Sequence, residues 1–361
     1  MNNSSQDHFP LNAIATLTVS GIAHSADDQA DRPLLMLRKE VPILQPYQHP
    51  PELWSESEMR PEGHPQRLPS QLPPKGNCHI KFSLESLPQT TRYAGMGVPR
   101  GRCGLVYAVA VTSWSTAVND APHDPSELIG RLPPLVVKVA RKGHISELIH
   151  EASFYEEMEH LQGVSIPRCY GLFEAYMEDD WEMVSMEGDY SDSDEEDVTL
   201  TPLGPEHEGL SADERDDLLN KKFEEALRKQ QLERERRRPQ EPNTVTLLLL
   251  ERLAGTPPMF VELGAEVRSD ILALYEDLAE CGIFYEDIRA WNILEAPASP
   301  PGFPGAICSY HGRSHQWRII DFSHYIRKVA YTSEFMNAEY KCCLSQVLNF
   351  LVVGIIYGGG E

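Results

Sequence analysis

Basic residues are scarce in this chain of 361 residues. Lys and Arg together number 32 against 55 for Asp and Glu, which gives a formal net charge of −23 at pH 7. A surface of this charge repels phosphate backbones and anionic lipid headgroups. The composition therefore argues against nucleic-acid binding and against binding to a membrane surface.

Long apolar segments are missing as well. The longest, residues 344–357, has the length of a core helix and falls short of the roughly 20 residues that cross a bilayer. The N-terminus lacks a basic region followed by an apolar stretch, so no signal peptide is expected. The seven cysteines have no Cys-x-x-Cys spacing, which predicts reduced thiols in a cytoplasmic or nuclear protein and no zinc site.

Proline is concentrated in residues 46–74. Such a composition buries too little surface to offset the entropy lost on ordering. We therefore expect residues 1–76 to form a largely flexible arm with at most one hairpin.

The pattern changes from residue 77, where short segments rich in Val, Ile and aromatic residues predict strands. A helix-like period of apolar residues follows the third of them. The predicted strands are 79–84, 105–111, 135–140, 169–176 and 245–250, and the predicted helix is 145–161.

An insertion at 177–243 interrupts this region, which ends at residue 253. Residues 187–197 carry seven acids and no base, which predicts disorder, and 211–229 have the pattern of a charged helix. The remainder, 254–361, is expected to be more helical.

Four chemistry-bearing segments, with five polar residues, follow one another in a suggestive order. Lys138 lies in the apolar strand Leu-Val-Val-Lys-Val-Ala, and Glu151 lies thirteen residues later in the next helix. A buried lysine needs a partner, and Glu151 is placed to supply one; the alternative for each is a solvent-exposed side chain. Asp287 precedes Asn292 by five residues after an amphipathic helix, and Asp321 ends a short apolar strand.

These positions resemble the strand lysine, helix glutamate, Asp-x-x-x-x-Asn loop and metal-binding aspartate of the protein-kinase-like superfamily. The Glu-Ala-x-Phe-Tyr and Asp-Ile-Arg-x-x-Asn segments resemble fungal kinase-like proteins and kinases of the choline and aminoglycoside type. The resemblance covers 78–361 apart from the acidic insertion. It implies an α+β, bilobal fold with a five-stranded antiparallel N-lobe and a shortened, mainly helical C-lobe.

The resemblance also implies roles for individual residues. Lys138 would bind the α- and β-phosphates of ATP with Glu151 orienting it, and Asp287 would act as the catalytic base. Asn292 and Asp321 would hold Mg²⁺.

Further nucleotide contacts are implied by the same resemblance. Residues 251–253, with Glu251 and Leu253, would form the segment whose backbone pairs with adenine. Gly101 and Gly104 would approach the phosphates, with a simple flexible turn as the alternative, because the glycines do not form a regular Gly-x-Gly-x-x-Gly.

Other departures from the kinase pattern bear on function. Tyr285 stands where the usual loop has His, and Ser323 stands where the Asp-Phe-Gly segment has Gly. No Ala-Pro-Glu motif occurs in the forty residues after Asp321, so the region is either minimal or truncated, and peptide recognition is not implied.

The leading hypothesis is an ATP- and Mg²⁺-dependent kinase that transfers the γ-phosphate to a hydroxyl of a protein or small-molecule acceptor. A second hypothesis is a catalytically inactive, kinase-like scaffold that binds nucleotide or partners. A third is an adaptor whose acidic segment binds basic proteins.

Overall fold

The computed structural model describes residues 9–44, 76–85, 104–118, 120–128, 131–141, 143–183, 243–256, 263–297, 306–323, 326–328 and 332–353. Several predictions concern residues outside these ranges. They are the proline-rich segment, the acidic run, the charged helix at 211–229 and the contact of Gly101.

Within this part of the chain, strands outnumber helices. The strands are β1 (Ile14–Ser20), β2 (Ala23–Ser25), β3 (Leu34–Lys39), β4 (Cys78–Glu85), β5 (Gly104–Ser115), β6 (Leu135–Ala140), β7 (Cys169–Tyr176), β8 (Trp181–Met183), β9 (Thr244–Glu251), β10 (Ile283–Tyr285), β11 (Ile293–Glu295), β12 (Trp317–Ile319) and β13 (Ile326–Lys328). The helices are α1 (Ile145–Glu157), α2 (Ala265–Glu280) and α3 (Ser333–Val353).

Seven of the strands form a closed barrel in the order β1-β3-β7-β9-β6-β5-β4. Neighbours are antiparallel except β1 and β4, whose parallel pairing closes the barrel. Side chains of successive residues point to opposite faces of a strand, so Val137 and Val139 share one face of β6 while Val136 and Lys138 share the other. Val137 and Val139 pair with Leu249 and Leu247 of β9, and all four are buried.

The predicted bilobal kinase-like fold is wrong. The five strands expected from the sequence are present as β4, β5, β6, β7 and β9, but they do not form a separate five-stranded antiparallel lobe. They belong to a mixed, closed barrel of seven strands, and only three α-helices occur in the described residues.

The barrel closes because the N-terminal segment contributes two strands. Leu17 and Val19 of β1 and Leu34 and Met36 of β3 are almost completely buried. Their alternation with more exposed residues is typical of half-buried strands, and the proline-rich composition that follows them concealed this signal. A hairpin was expected here, but not its incorporation into the sheet.

The expected mainly helical second lobe is also wrong. Beyond the barrel, β10 pairs with β13 and β11 pairs with β12 in two small antiparallel sheets. The contacts group residues 1–182 and 244–361 into one unit and 183–243 into another, and nearly all of the second lies outside the described residues. No described helix is long and apolar enough to span a bilayer.

A hydrophobic core covers one outer face of the barrel. It joins Leu172 of β7 and Leu248 of β9 to apolar side chains of α1, α2 and α3, among them Leu148, Leu274 and Tyr340. This core brings α1, the β10–β11 segment and the end of β12 to the sheet face that carries Lys138.

Candidate functional site

Lys138 is a buried lysine in the middle of the barrel sheet. Its strand, β6, lies between β5 and β9, so it is not an edge strand, and the residue is 7% exposed. The solvent-exposed alternatives for Lys138 and Glu151 are therefore wrong, because Glu151 is also buried, at 1% exposed.

Two carboxylates hold the Lys138 ammonium. Its Nζ atom lies 2.7 Å from Oε2 of Glu151 and 2.8 Å from Oδ1 of Asp321. Burial by itself lowers the pKa of Lys138, but the two carboxylates outweigh it and raise the pKa above its ordinary value. Lys138 is therefore a fixed positive charge, and it joins the barrel, α1 and the segment after β12.

Asp321 adopts a backbone conformation that few non-glycine residues take. Its φ angle is +65°, in the left-handed region, where Asp is among the side chains tolerated best. Its Oδ1 atom accepts hydrogen bonds from Lys138 and, at 2.9 Å, from the Ser323 hydroxyl. Such strain persists where surrounding contacts define it and clusters at functional sites.

Asp287 and Asn292 lie together on the segment between β10 and β11. The Nδ2 atom of Asn292 donates to the Asp287 carboxylate at 3.0 Å, to the Asp287 carbonyl at 3.1 Å and to the Tyr285 hydroxyl at 2.8 Å. Because the amide nitrogen is committed to these acceptors, the side-chain oxygen of Asn292 is the atom suited to bind a cation.

Tyr285 connects the two halves of the site. Its hydroxyl lies 3.1 Å from the Ile320 carbonyl and 3.3 Å from the Asp321 carbonyl. The Ile320 amide donates to the Asn292 carbonyl at 2.9 Å. Tyr285 thus fixes the Asp287–Asn292 segment relative to Asp321. The sequence alone does not indicate this role.

Phe322 provides the apolar counterpart of this connection. Its ring stacks on Phe154 of α1 with ring centroids 4.0 Å apart and meets Tyr155 and Tyr285 edge-on, each at 5.5 Å. Its backbone amide also hydrogen-bonds to Glu151. In the sequence, the only signal for Phe322 is an aromatic residue directly after the strand-ending aspartate.

Arg289 is a second residue that sequence analysis left without a role. Its Nε atom forms an ion pair with Oδ1 of Asp287. The guanidinium is half exposed and lies 5.6 Å from the centre of the Trp291 ring. The sequence signal for this ion pair is a basic residue two positions after Asp287.

Gly104 of β5 pairs with Ala140 of β6 and lies close to the Lys138 side chain. A Cβ atom at this position would come within 2.7 Å of the Val139 carbonyl oxygen and 3.1 Å of Cγ of Lys138. The position therefore requires glycine for a close approach between β5 and β6.

An apolar surface adjoins the lysine. Val106 of β5 pairs directly with Lys138, so the two share a face of the sheet, and Val106 is 43% exposed. Val136 lies two residues before Lys138 on the same face and is half-buried. A flat apolar group can pack on these two side chains while a charged end reaches the ammonium.

The residues expected to pair with adenine have different environments. The Glu251 carboxylate is buried and bound to Arg168, with Oε1 lying 2.6 Å from the guanidinium. Its side chain therefore supports the fold. Leu253 is half-buried, and its backbone forms no hydrogen bond within the described part of the chain.

Comparison with known protein families gives no match, and comparison with curated proteins gives none either.

Proposed function

We propose that this protein is an ATP- and Mg²⁺-dependent phosphotransferase that phosphorylates a hydroxyl group. The observation that carries the proposal is the position of the Lys138 ammonium between Glu151 and Asp321, at 2.7 and 2.8 Å. Phosphoryl transfer depends on positioning and on neutralising phosphate charge more than on covalent chemistry. The proposal rests on this arrangement of side chains and not on the fold expected from the sequence.

The cationic part of the site suits a triphosphate. Glu151 holds the Lys138 ammonium in place, and Lys138 binds the α- and β-phosphate oxygens. Carboxylate and amide oxygens are ligands that Mg²⁺ takes in nucleotide sites. The Asp321 carboxylate and the Asn292 side-chain oxygen would hold the ion, which neutralises charge on the transferring phosphoryl group.

The apolar part of the site suits a nucleobase. Val106, which is 43% exposed, and the half-buried Val136 offer an aliphatic surface on the same sheet face as Lys138. The Leu253 backbone, which has no partner in the described residues, supplies a donor and an acceptor for a base edge. Cofactor sites are typically lined by apolar side chains with a few polar groups.

Asp287 is the proposed general base. It accepts the proton of the acceptor hydroxyl as that oxygen bonds to the γ-phosphorus and the bond from phosphorus to the β,γ-bridging oxygen breaks. Asn292 and Arg289 hold its two carboxylate oxygens, at 3.0 Å in the case of Asn292. This orients the carboxylate, a requirement for base catalysis by a positioned group.

The first test is calorimetric titration of Mg·ATP into the wild-type protein and Asp321→Asn. We expect Mg²⁺-dependent binding by the wild type and at least a tenfold loss in the variant. The matched control is Asp27→Asn, a change of an exposed acid on the turn after β2, which should leave binding unchanged. Absence of Mg·ATP binding by folded wild-type protein would overturn the proposal.

The second test separates an enzyme from a nucleotide-binding scaffold. A panel of small-molecule alcohols and protein substrates is screened for release of ADP by the wild type and by Asp287→Asn. Turnover that falls by two orders of magnitude or more in the variant, with Mg·ATP binding retained, supports the assigned base. Binding without turnover on any acceptor favours the scaffold.

A further inference from the structure

A second group of polar side chains lies away from Lys138, between α2 and the segment that precedes β12. Asp277 of α2, Cys308, His311 and His315 each offer one ligand atom, and the four atoms all lie within 4.8 Å of one another. The side chains of Asp277 and His315 are completely buried, and so is Cys308.

The candidate ligand atoms of these four side chains lie close to one another. Oδ1 of Asp277 lies 3.0 Å from both Cys308 Sγ and His311 Nδ1, and Sγ lies 3.4 Å from that nitrogen. Nε2 of His315 lies 3.3 Å from the other Asp277 oxygen. Ligand atoms of a tetrahedral zinc site are about 3.3–3.6 Å apart, given Zn–N near 2.0 Å and Zn–S near 2.3 Å.

We propose that Asp277, Cys308, His311 and His315 bind a structural Zn²⁺ ion. One thiolate, two imidazoles and one carboxylate are ligands that zinc takes, and four protein ligands are the number of a closed, structural site. The thiolate and the carboxylate balance the charge of the ion, so that its burial leaves no net charge.

The surroundings of the two histidines support this assignment. A metal-bound imidazole commonly gives its other nitrogen to a carboxylate, which fixes the ring. Here Nδ1 of His315 lies 2.7 Å from Asp270, and Nε2 of His311 lies 3.2 Å from Glu276. Both proposed ligand nitrogens are thereby left directed at Asp277.

Two more contacts complete the environment of the ion. The backbone amide of His311 donates to Cys308 Sγ at 3.4 Å, as expected for an acceptor thiolate. The Nε2 atom of His315 is buried and faces the Asp277 carboxylate at 3.3 Å without reaching the geometry of a hydrogen bond. A buried nitrogen without a hydrogen bond is costly, and coordination to a metal removes that cost.

The sequence predicted no zinc site because its cysteines lack Cys-x-x-Cys spacing. The ligands instead follow a Cys-x-x-His-x-x-x-His pattern, and the fourth, Asp277, comes from a helix 31 residues before Cys308. The ion would attach this segment to α2 just before β12, the strand that leads to Asp321. Its presence does not depend on the proposed phosphotransfer.

The experiment measures metal content by mass spectrometry in full-length protein purified without added metal or chelator. We expect about one zinc per chain in the wild type and loss of zinc in Cys308→Ala. The control is Cys78→Ala, which removes a buried cysteine of β4 and should retain the zinc. Asp270→Asn should weaken zinc affinity by about 10- to 100-fold, because it removes support from His315. Zinc retained in Cys308→Ala would overturn the assignment.

A measurement on the unaltered wild type keeps the test valid if a variant does not fold. Zinc is removed with a chelator and replaced by Co²⁺, and X-ray absorption and the visible spectrum are recorded. One sulfur and three nitrogen or oxygen ligands, with a thiolate-to-cobalt charge-transfer band, support the site. No bound zinc in the purified protein and no such band would show that the four side chains form only a hydrogen-bonded network.

Discussion

The Tyr285 hydroxyl accepts a hydrogen bond of 2.8 Å from Nδ2 of Asn292. The same hydroxyl lies 3.1 Å from the carbonyl oxygen of Ile320, the residue before Asp321. One buried oxygen atom therefore links the segment that carries the proposed base to the segment that carries the proposed metal ligand. The hydroxyl supplies the hydrogen bonds that hold the two segments together.

Replacement of Tyr285 by Phe tests this link. The ring still packs against Phe322, but the Ile320 carbonyl loses its donor and Asn292 loses an acceptor. We expect the free energy of unfolding to fall by about 1–3 kcal/mol, measured by urea denaturation, and Mg·ATP binding to weaken.

Tyr275→Phe is a matched control for this prediction. Its ring lies 6.2 Å from that of Tyr285, and its buried hydroxyl has no hydrogen bond within the described residues. Its removal should be neutral or stabilising. Equal losses of stability in the two variants would contradict the role given to the Tyr285 hydroxyl.

Replacement of Lys138 by Met tests the buried ion pair. It leaves the Glu151 carboxylate buried without its cation, so we expect a loss of about 3 kcal/mol in the free energy of unfolding at pH 7. Lys81→Met, a change of an exposed lysine on β4, should have little effect. The double variant Lys138→Met with Glu151→Leu should recover stability but not nucleotide binding.

The loss in Lys138→Met should also depend on pH. Burial raises the pKa of Glu151, and Lys138 opposes this rise in the wild type. In the variant, the folded state therefore takes up a proton at a higher pH than the unfolded chain, whose glutamate pKa is about 4.3. Its stability deficit should shrink as the pH falls from 7 toward 4.5. A deficit that is constant over this range would show that the buried charge is not its cause.

Two contacts of the candidate site were predictable because their signals are local. An apolar strand with one lysine predicts a buried cation that needs a partner. Glu151 lies about one and a half turns into the next helix, and its carboxylate is 2.7 Å from Nζ of Lys138. Asp287 and Asn292 are five residues apart and lie on one short segment, in direct contact. Such patterns depend on neighbouring residues only.

The closure of the barrel and the proposed zinc site depend on contacts between distant residues. The parallel pair β1 and β4 joins Leu17 to Ile80, and neither strand contains a local signal for that partner. Asp277 of α2 contacts Cys308, which lies 31 residues later in the chain. The contacts of Tyr285 with Ile320 and of Phe322 with Phe154 likewise join residues that are far apart in the sequence.

His79 should make stability pH-dependent near neutrality. It is buried in β4 between the Thr16 and Thr18 hydroxyls, at 2.7 and 3.2 Å. Burial, with a smaller contribution from Lys81, lowers its pKa below the ordinary value of 6.5. The unfolded chain is therefore protonated first as the pH falls, and the contribution of His79 to stability is present above pH 6.5 and lost below it.

Urea denaturation of the wild type and His79→Gln at pH 7.5, 6.5 and 5.5 measures this effect. The stability of the wild type relative to the variant should decline as the pH falls through this range, by at most about 1.4 kcal/mol per pH unit. A difference between the two proteins that does not change with pH would rule out His79 as a source of the dependence.

Replacement of Gly104 by Ala should disturb the proposed nucleotide site by separating β5 from β6 next to Lys138. The new methyl group would lie 2.7 Å from the Val139 carbonyl oxygen of the β6 backbone and 3.1 Å from Cγ of Lys138. We expect a loss of about 1–3 kcal/mol in the free energy of unfolding and weaker Mg·ATP binding. Gly255→Ala is the control, because a Cβ atom there meets no atom within 4 Å, and it should leave stability nearly unchanged. If both variants keep wild-type stability and nucleotide affinity, the close contact between β5 and β6 does not position Lys138.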